Sequence, residues 1–448
     1  MKNWRQHLHL EPPTGFLNDP NGLCYFDGKY HIYFQYCKDN AEGKSPKSWG
    51  YYTTTNWQDY QFEGEAILPD IDEDRHGAYS GTSFIERDTQ YIFYTGNVKE
   101  EGNFDYITAG RQSNTILVTS KDGKNISDKI IVLNNSNYPK NLSCHIRDPK
   151  VFKLEDTYYM ILGARTHDDK GCILFYKSYN LLEWEFVSET TKENMGYMWE
   201  CPDWITIEGQ NYLSISPQGL KSSEFQYQNV YQSGYMKASN EISNLNLETF
   251  VEWDMGFDFY APQTFVDKDG RTILIGWFGL PDIEYENLTT QQGYQHCLTL
   301  PRVIQKDFDG KLYQIPHEII ETNRQTPFEL TELPTKLPTP FEIVGYSKED
   351  FSIILDNKLE ISYTKGELKL EFYDKTYGGG RDIRRAKINS CKNIRVIVDS
   401  SSIEIFVNNG EIAMSSRFYP DKFISISSKN IHGQVYTLSP FNISKSLD

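Results

Sequence analysis

Apolar and polar residues alternate in short runs along most of the chain. Five of these runs look alike: residues 28–36, 89–95, 156–162, 210–216 and 271–277 each leave a polar turn and continue through aromatic or β-branched residues. Alternation with period two predicts strands half buried in a sheet. The spacing of the five, roughly 50 to 70 residues, is the size of a propeller blade with about four strands. A long β-sandwich carries the same alternation, and periodicity by itself does not separate the two.

From about residue 322 to 342 the pattern breaks. Pro327, Pro334, Pro338 and Pro340 read as an extended, proline-stiffened connection. Beyond it the alternation is cleaner, as in residues 393–399 and 402–407, and Asn408-Asn409-Gly410 supplies a hairpin turn. A β-sandwich of about a hundred residues is expected there. The expected organisation is all-β: a propeller over residues 1–325, a linker over 326–342 and a sandwich over 343–448.

Composition narrows the function. The 448 residues exceed one ordinary core, in keeping with two domains. Aromatic content of 14% suits strands and also suits stacking on the apolar faces of sugars. A net charge of -17 argues against a nucleic-acid partner and against an anionic membrane surface. No apolar run approaches the length of a membrane span, and the first residues lack the apolar core of a secretory signal. Seven scattered cysteines form no Cys-x-x-Cys pair or zinc spacing, which reads as free thiols in the cytoplasm. No metal or other cofactor is expected, and oligomeric state is not legible.

The candidate chemistry centres on Asn18-Asp19-Pro20-Asn21-Gly22, a run of turn formers ahead of a strand. A loop with Asx-turn chemistry is the plain reading. Two further stretches, Arg147-Asp148-Pro149 and Trp199-Glu200-Cys201-Pro202-Asp203, again place an acidic residue beside a proline among aromatics. Three such carboxylates suit glycosidic cleavage, in which one group attacks or stabilises the anomeric carbon and another protonates the leaving oxygen. Asp19 suits the ionised role, Asp148 beside Arg147 is expected to stay ionised, and Glu200 suits the protonated role among Trp199, Cys201 and Pro202.

These boxes, together with Phe34-Gln35-Tyr36, Trp49-Gly50, Tyr79-Ser80-Gly81-Thr82, Ser216-Pro217-Gln218-Gly219, Tyr260-Ala261-Pro262-Gln263 and Ser401-Ser402-Ile403-Glu404, carry a resemblance. The chain resembles the β-fructofuranosidase (invertase) family of five-bladed glycoside hydrolases over nearly its whole length. Within the family it is most similar to the bacterial branch that cleaves sucrose 6-phosphate. The resemblance implies a retaining hydrolase that releases fructose from sucrose 6-phosphate or sucrose. Asp19 would be the nucleophile of a covalent fructosyl-enzyme, Glu200 the acid and then the base, and Asp148 the transition-state stabiliser. Asn18, Gln35, Trp49, Ser80 and Arg147 would line the fructose subsite. Retention implies a carboxyl separation of about 5 Å between Asp19 and Glu200.

Phe16, Tyr51, Thr82 and Tyr294 depart from the family pattern, which puts leaving-group preference in doubt more than activity. Several readings stay open. Trp49 is a sugar platform or blade core, Gln35 binds sugar or its own loop, and His296 near Arg302 is a phosphate contact or a core histidine. The acidic run at residues 70–74 lacks the spaced pattern of a calcium loop and reads as solvated. Action on short fructo-oligosaccharides, by hydrolysis or fructosyl transfer, is the alternative activity. A non-catalytic carbohydrate binder is the alternative class.

Overall fold

The computed structural model describes residues 3–446. These residues are nearly all β: among them one four-residue helix, Ile319–Thr322, and a few 3-10 turns interrupt the strands. Residues up to about 316 build five mainly antiparallel sheets, and residues 324–438 build two six-stranded sheets. The five look-alike runs become the second strands of the five sheets: Lys29–Cys37, Thr89–Lys99, Thr157–Thr166, Gln210–Gln218 and Thr272–Trp277.

The first strands are Gly15–Phe26, Ala78–Glu86, Leu142–Leu154, Met198–Ile207 and Tyr260–Val266. Each touches the next in chain order, and the fifth touches the first, so the contacts close a ring. Side chains lock neighbouring first strands together. Gln263 accepts from the Leu23 N–H and donates to the Gly81 carbonyl, Thr82 donates to the Pro149 carbonyl, and Asp203 accepts from both donors of Thr264.

The proline-rich stretch expected as a linker is largely sheet. Arg324–Glu329 pairs with His432–Leu438 in one sandwich sheet, and Thr335–Pro338 pairs with Phe423–Lys429 in the other. Both are outer strands, where a missing proline N–H costs no ladder bond. The two six-stranded sheets enclose one apolar core that includes Phe341, Ile353, Ile361, Val396, Ile405 and Met414.

The sandwich is bound to the sheets of the ring by buried charges. His9 lies between Asp399 at 2.9 Å and Glu404 at 3.0 Å, and Arg302 joins Glu404 to Asp254. Near the C-terminus, Asn442–Ser444 returns to pair in parallel with Asp59–Gln61 at the edge of the first sheet.

Candidate active site

Every first strand carries a register shift at the same level. Two residues face one partner between Leu17 and Pro20, Ala78 and Gly81, Arg147 and Lys150, Glu200 and Asp203, and Tyr260 and Gln263. The expected turn at Asp19 is therefore a β-bulge inside a twelve-residue strand. Asn, Asp and Pro suit a bulge for the reason they suit a turn: they tolerate or cause the loss of regular pairing. Pro149, Pro202 and Pro262 sit in three of these bulges, where no N–H is needed. Asp148, Cys201 and Ala261 just before them take positive φ values of 64°, 45° and 45°.

The repeated bulge explains how distant residues meet. Arg147, Glu200 and Tyr260 are the last paired residues before it in three consecutive sheets. They touch in that order. Arg147 Nη2 donates to Glu200 Oε1 at 2.7 Å, and the Tyr260 hydroxyl donates to Glu200 Oε2 at 2.6 Å. Gln218 Nε2 completes the set on Oε2 at 2.9 Å.

Asp19, Asp148 and Cys201 lie inside the bulges. Asp19 Oδ2 accepts from the Ser80 hydroxyl at 2.5 Å, and Oδ1 accepts from Asn18 at 3.2 Å. Asn18 also donates to Gln35 Oε1 at 2.6 Å. Asp148 Oδ2 accepts from the Cys201 N–H at 2.9 Å, and the Cys201 thiol stands 3.6 Å from both Asp148 and Asp19. A cavity of about 10 Å³ lies against residues from all five first strands, among them Pro20, Ser80, Asp148, Cys201 and Pro262. That is room for about one water.

Burial raises Asp19, and the nearby Glu200 charge adds to it, against the Ser80 and Asn18 hydrogen bonds. Burial also pushes Asp148 up to about 7, a shift that Arg147 only partly opposes. The Arg147 charge lowers Asp148 as expected, but burial outweighs it, and the guanidinium points its N–H groups at Glu200. The aromatic flank expected to act on Glu200 is likewise turned away. Trp199 is fully buried and donates its indole N–H to the Met195 carbonyl.

Of the residues expected to line the subsite, Asn18, Gln35, Ser80 and Arg147 gather around Asp19 and Glu200. Trp49 does not. It is 0% exposed among Tyr33, Tyr94 and Ile67, and its indole N–H holds the Tyr79 carbonyl. The core reading of Trp49 prevails, because both faces of the ring are packed. His296 is also core, set edge-on against Phe16 and Trp277, and burial pushes it down to about 3. In the acidic run, Asp74 is buried and paired with Lys129.

Sequence reasoning assigned no role to Tyr260 or Gln218, although both stood in boxes already noted. The signal was the repeat of two residues before a proline: Arg147-Asp148-Pro149, Glu200-Cys201-Pro202 and Tyr260-Ala261-Pro262 share it.

The chain matches the glycosyl hydrolases family 32 N-terminal domain over residues 9–316 and the family 32 C-terminal domain over residues 343–443, and it belongs to that family. It is 37% identical to the sucrose-6-phosphate hydrolase of Bacillus subtilis over 439 residues, 93% of this chain and 89% of that protein. Among solved structures, the sucrose-6-phosphate hydrolase of Lactobacillus gasseri superposes with a TM-score of 0.85 at 28% identity, covering 98% of this chain and 94% of that one. A β-fructofuranosidase of Bombyx mori in complex with sucrose gives the same TM-score, identity and coverage.

Proposed function

We propose that the protein is a retaining β-fructofuranosidase that cleaves sucrose 6-phosphate or sucrose, on a five-bladed propeller followed by a β-sandwich. The observation that carries this reading is the meeting of Asp19, Asp148 and Glu200 at equivalent bulges of three strands that are far apart in sequence. Family membership and the names of its relatives support the substrate class. The ring of contacts among the five first strands supports the propeller. The propeller ends ahead of residue 324, and the sandwich proper begins near residue 343, with the stretch between them woven into its edges.

Asp19 attacks the anomeric carbon of the fructosyl group while Glu200 gives a proton to the glycosidic oxygen, and the glucosyl part departs. Water then attacks the same carbon, Glu200 takes its proton, and the Asp19 ester bond breaks to release fructose. The mechanism calls for about 5 Å between the two carboxyl groups. Asp148 steadies the fructose hydroxyls as positive charge develops on the ring. Asn18, Gln35 and Ser80 orient Asp19 and the sugar, and Arg147 and Tyr260 orient Glu200.

Three carboxyl groups share this enclosed site with the Arg147 guanidinium. Burial, with the neighbouring Glu200 charge, raises both Asp19 and Asp148 above the usual carboxylate range. A cytoplasmic setting fits the seven cysteines, all unpaired in the fold.

The test is Glu200→Gln. Turnover of sucrose and sucrose 6-phosphate should fall by at least about a thousandfold while sugar binding persists. Wild-type protein that is folded and releases no reducing sugar from either substrate would sink the assignment.

A further inference from the structure

Beside Glu200 lies a cluster of basic side chains, of which His145, Arg111 and Arg165 take no part in the chemistry above. His145 is at its centre. Its Nδ1 lies 2.9 Å from Arg147 Nη1 and its Nε2 lies 3.1 Å from the Tyr106 carbonyl. Burial and the charges of Arg147, Arg111 and Arg165 push this imidazole down to about 3. It is therefore neutral, accepting from Arg147 and donating to Tyr106. The Tyr106 loop is pinned at its other contact by the Cys144 N–H on the Ile107 carbonyl, at 2.7 Å. Asp105 caps it from within, accepting from the N–H groups of Ile107 and Thr108.

Arg147 is occupied by Glu200 and His145. Arg165 bonds Asp169 through Nε and Nη2 and lies over the Tyr197 ring at 4.7 Å. Arg111 differs from both. It is half-buried, its Nε is buried without a hydrogen-bond partner, and no carboxylate pairs with its guanidinium among the described residues. Burial and the adjacent Arg147 charge both lower it, which is the mark of a cation lacking its counter-ion. An unpaired, partly desolvated guanidinium is costly unless a ligand brings the anion.

We infer that Arg111, with Arg165 as a second cation, forms an anion subsite for the phosphate on the departing glucosyl group. The inference rests on the proposed function, since it uses Glu200 as the acid to locate the leaving group. The group protonated by Glu200 lies next to it, and the Arg111 cluster borders Glu200 through Arg147 and His145. A guanidinium presents paired N–H donors that match phosphate oxygens. The subsite would draw sucrose 6-phosphate ahead of sucrose without touching the fructosyl chemistry.

The experiment is the ratio of kcat/KM for sucrose 6-phosphate to that for sucrose, in wild type, Arg111→Gln and Arg111→Lys. The wild-type ratio should favour the phosphate. It should fall roughly ten- to a hundredfold in Arg111→Gln, as expected for loss of charged hydrogen bonds, and less in Arg111→Lys. A second measurement needs no variant: glucose 6-phosphate should inhibit wild-type sucrose cleavage at concentrations where glucose does not. A ratio unmoved by Arg111→Gln, or equal inhibition by the two products, overturns the subsite and leaves the hydrolase reading intact. Wild-type protein that cleaves neither substrate overturns both. If Arg111→Gln fails to fold, Arg165→Gln and the product comparison decide the matter.

Discussion

Arg147 donates to Glu200 at 2.7 Å and 3.2 Å, while its chain neighbour Asp148 takes the backbone N–H of Cys201 instead. The bulge breaks the regular alternation at Asp148, whose φ is 64°, so two residues adjacent in sequence both turn toward the same neighbouring strand and take different partners on it. Each residue here reaches across the ring to the fourth sheet. Arg147→Lys keeps the charge but loses the two-pronged contact that orients Glu200. We expect kcat/KM for sucrose to fall roughly ten- to a hundredfold with folding retained. Steady-state rates alongside circular dichroism check this, and an unchanged kcat/KM would remove Arg147 from the acid's support.

Asp148 pays for its position in stability. Burial holds its carboxyl at about 7, well above the usual 3.8. Its folded form binds a proton more tightly than its unfolded form, so its contribution is most favourable below about pH 4 and is lost as pH rises through about 7. Asp148→Asn accepts the same Cys201 N–H without the charge. Above pH 7 the variant should be more stable than wild type by about 2–4 kcal/mol, yet nearly inactive. Urea unfolding at pH 5 and pH 8 reads the difference, which should shrink at the lower pH. A variant less stable than wild type at pH 8 would contradict the burial argument.

Gly163 spaces the third and fourth sheets. It pairs with Arg147, and a Cβ there would stand 2.0 Å from the Trp199 carbonyl oxygen, one residue before Glu200. That obstacle is backbone on an inner strand and cannot swing aside. Gly163→Ala should cost about 1–3 kcal/mol through overpacking. It should also lower kcat more than a substitution of similar cost far from the site, by displacing Glu200 from Arg147. Thermal unfolding and kcat measured together test this, and wild-type values for both would show that the strands yield freely.

His9 makes the contact between ring and sandwich dependent on pH. Burial alone would lower the imidazole, but Asp399 and Glu404 overcome it and hold it at about 9. The folded value exceeds the unfolded 6.5, so the stabilisation is fully present below about pH 6.5 and is lost as pH rises through about 9. The amount at stake is about 3 kcal/mol. Urea midpoints should decline over that window in wild type and decline less in His9→Gln, which keeps polar contacts without the charge. Parallel profiles for the two proteins would exclude His9 as the titrating group.

Much of the architecture was legible in local pattern. Alternation identified the second strand of each of the five sheets and the sandwich strand Ser402–Val407, because a half-buried strand imposes period two on its own residues. Asp19 and Asp148 directly before prolines, and Glu200 one residue further from Pro202, also stood out, since a proline disturbs regular pairing wherever it occurs. What local pattern lacks is the partner. The bulges arise from hydrogen-bond register between strands, so Asp19-Pro20 and Asp148-Pro149 look alike in sequence while only the second places its proline inside the bulge. Ring closure decided that Arg147 serves Glu200, that Tyr260 and Gln218 join them, and that Arg111 Nε is left without a hydrogen-bond partner among the described residues. Packing decided that Trp49 belongs to the core, where both faces of its ring are covered. The proline-rich stretch became sheet because the sandwich offered it outer positions that tolerate a missing N–H. Side-chain type and local alternation are properties of the chain, whereas neighbours across a ring exist only once every sheet is in place.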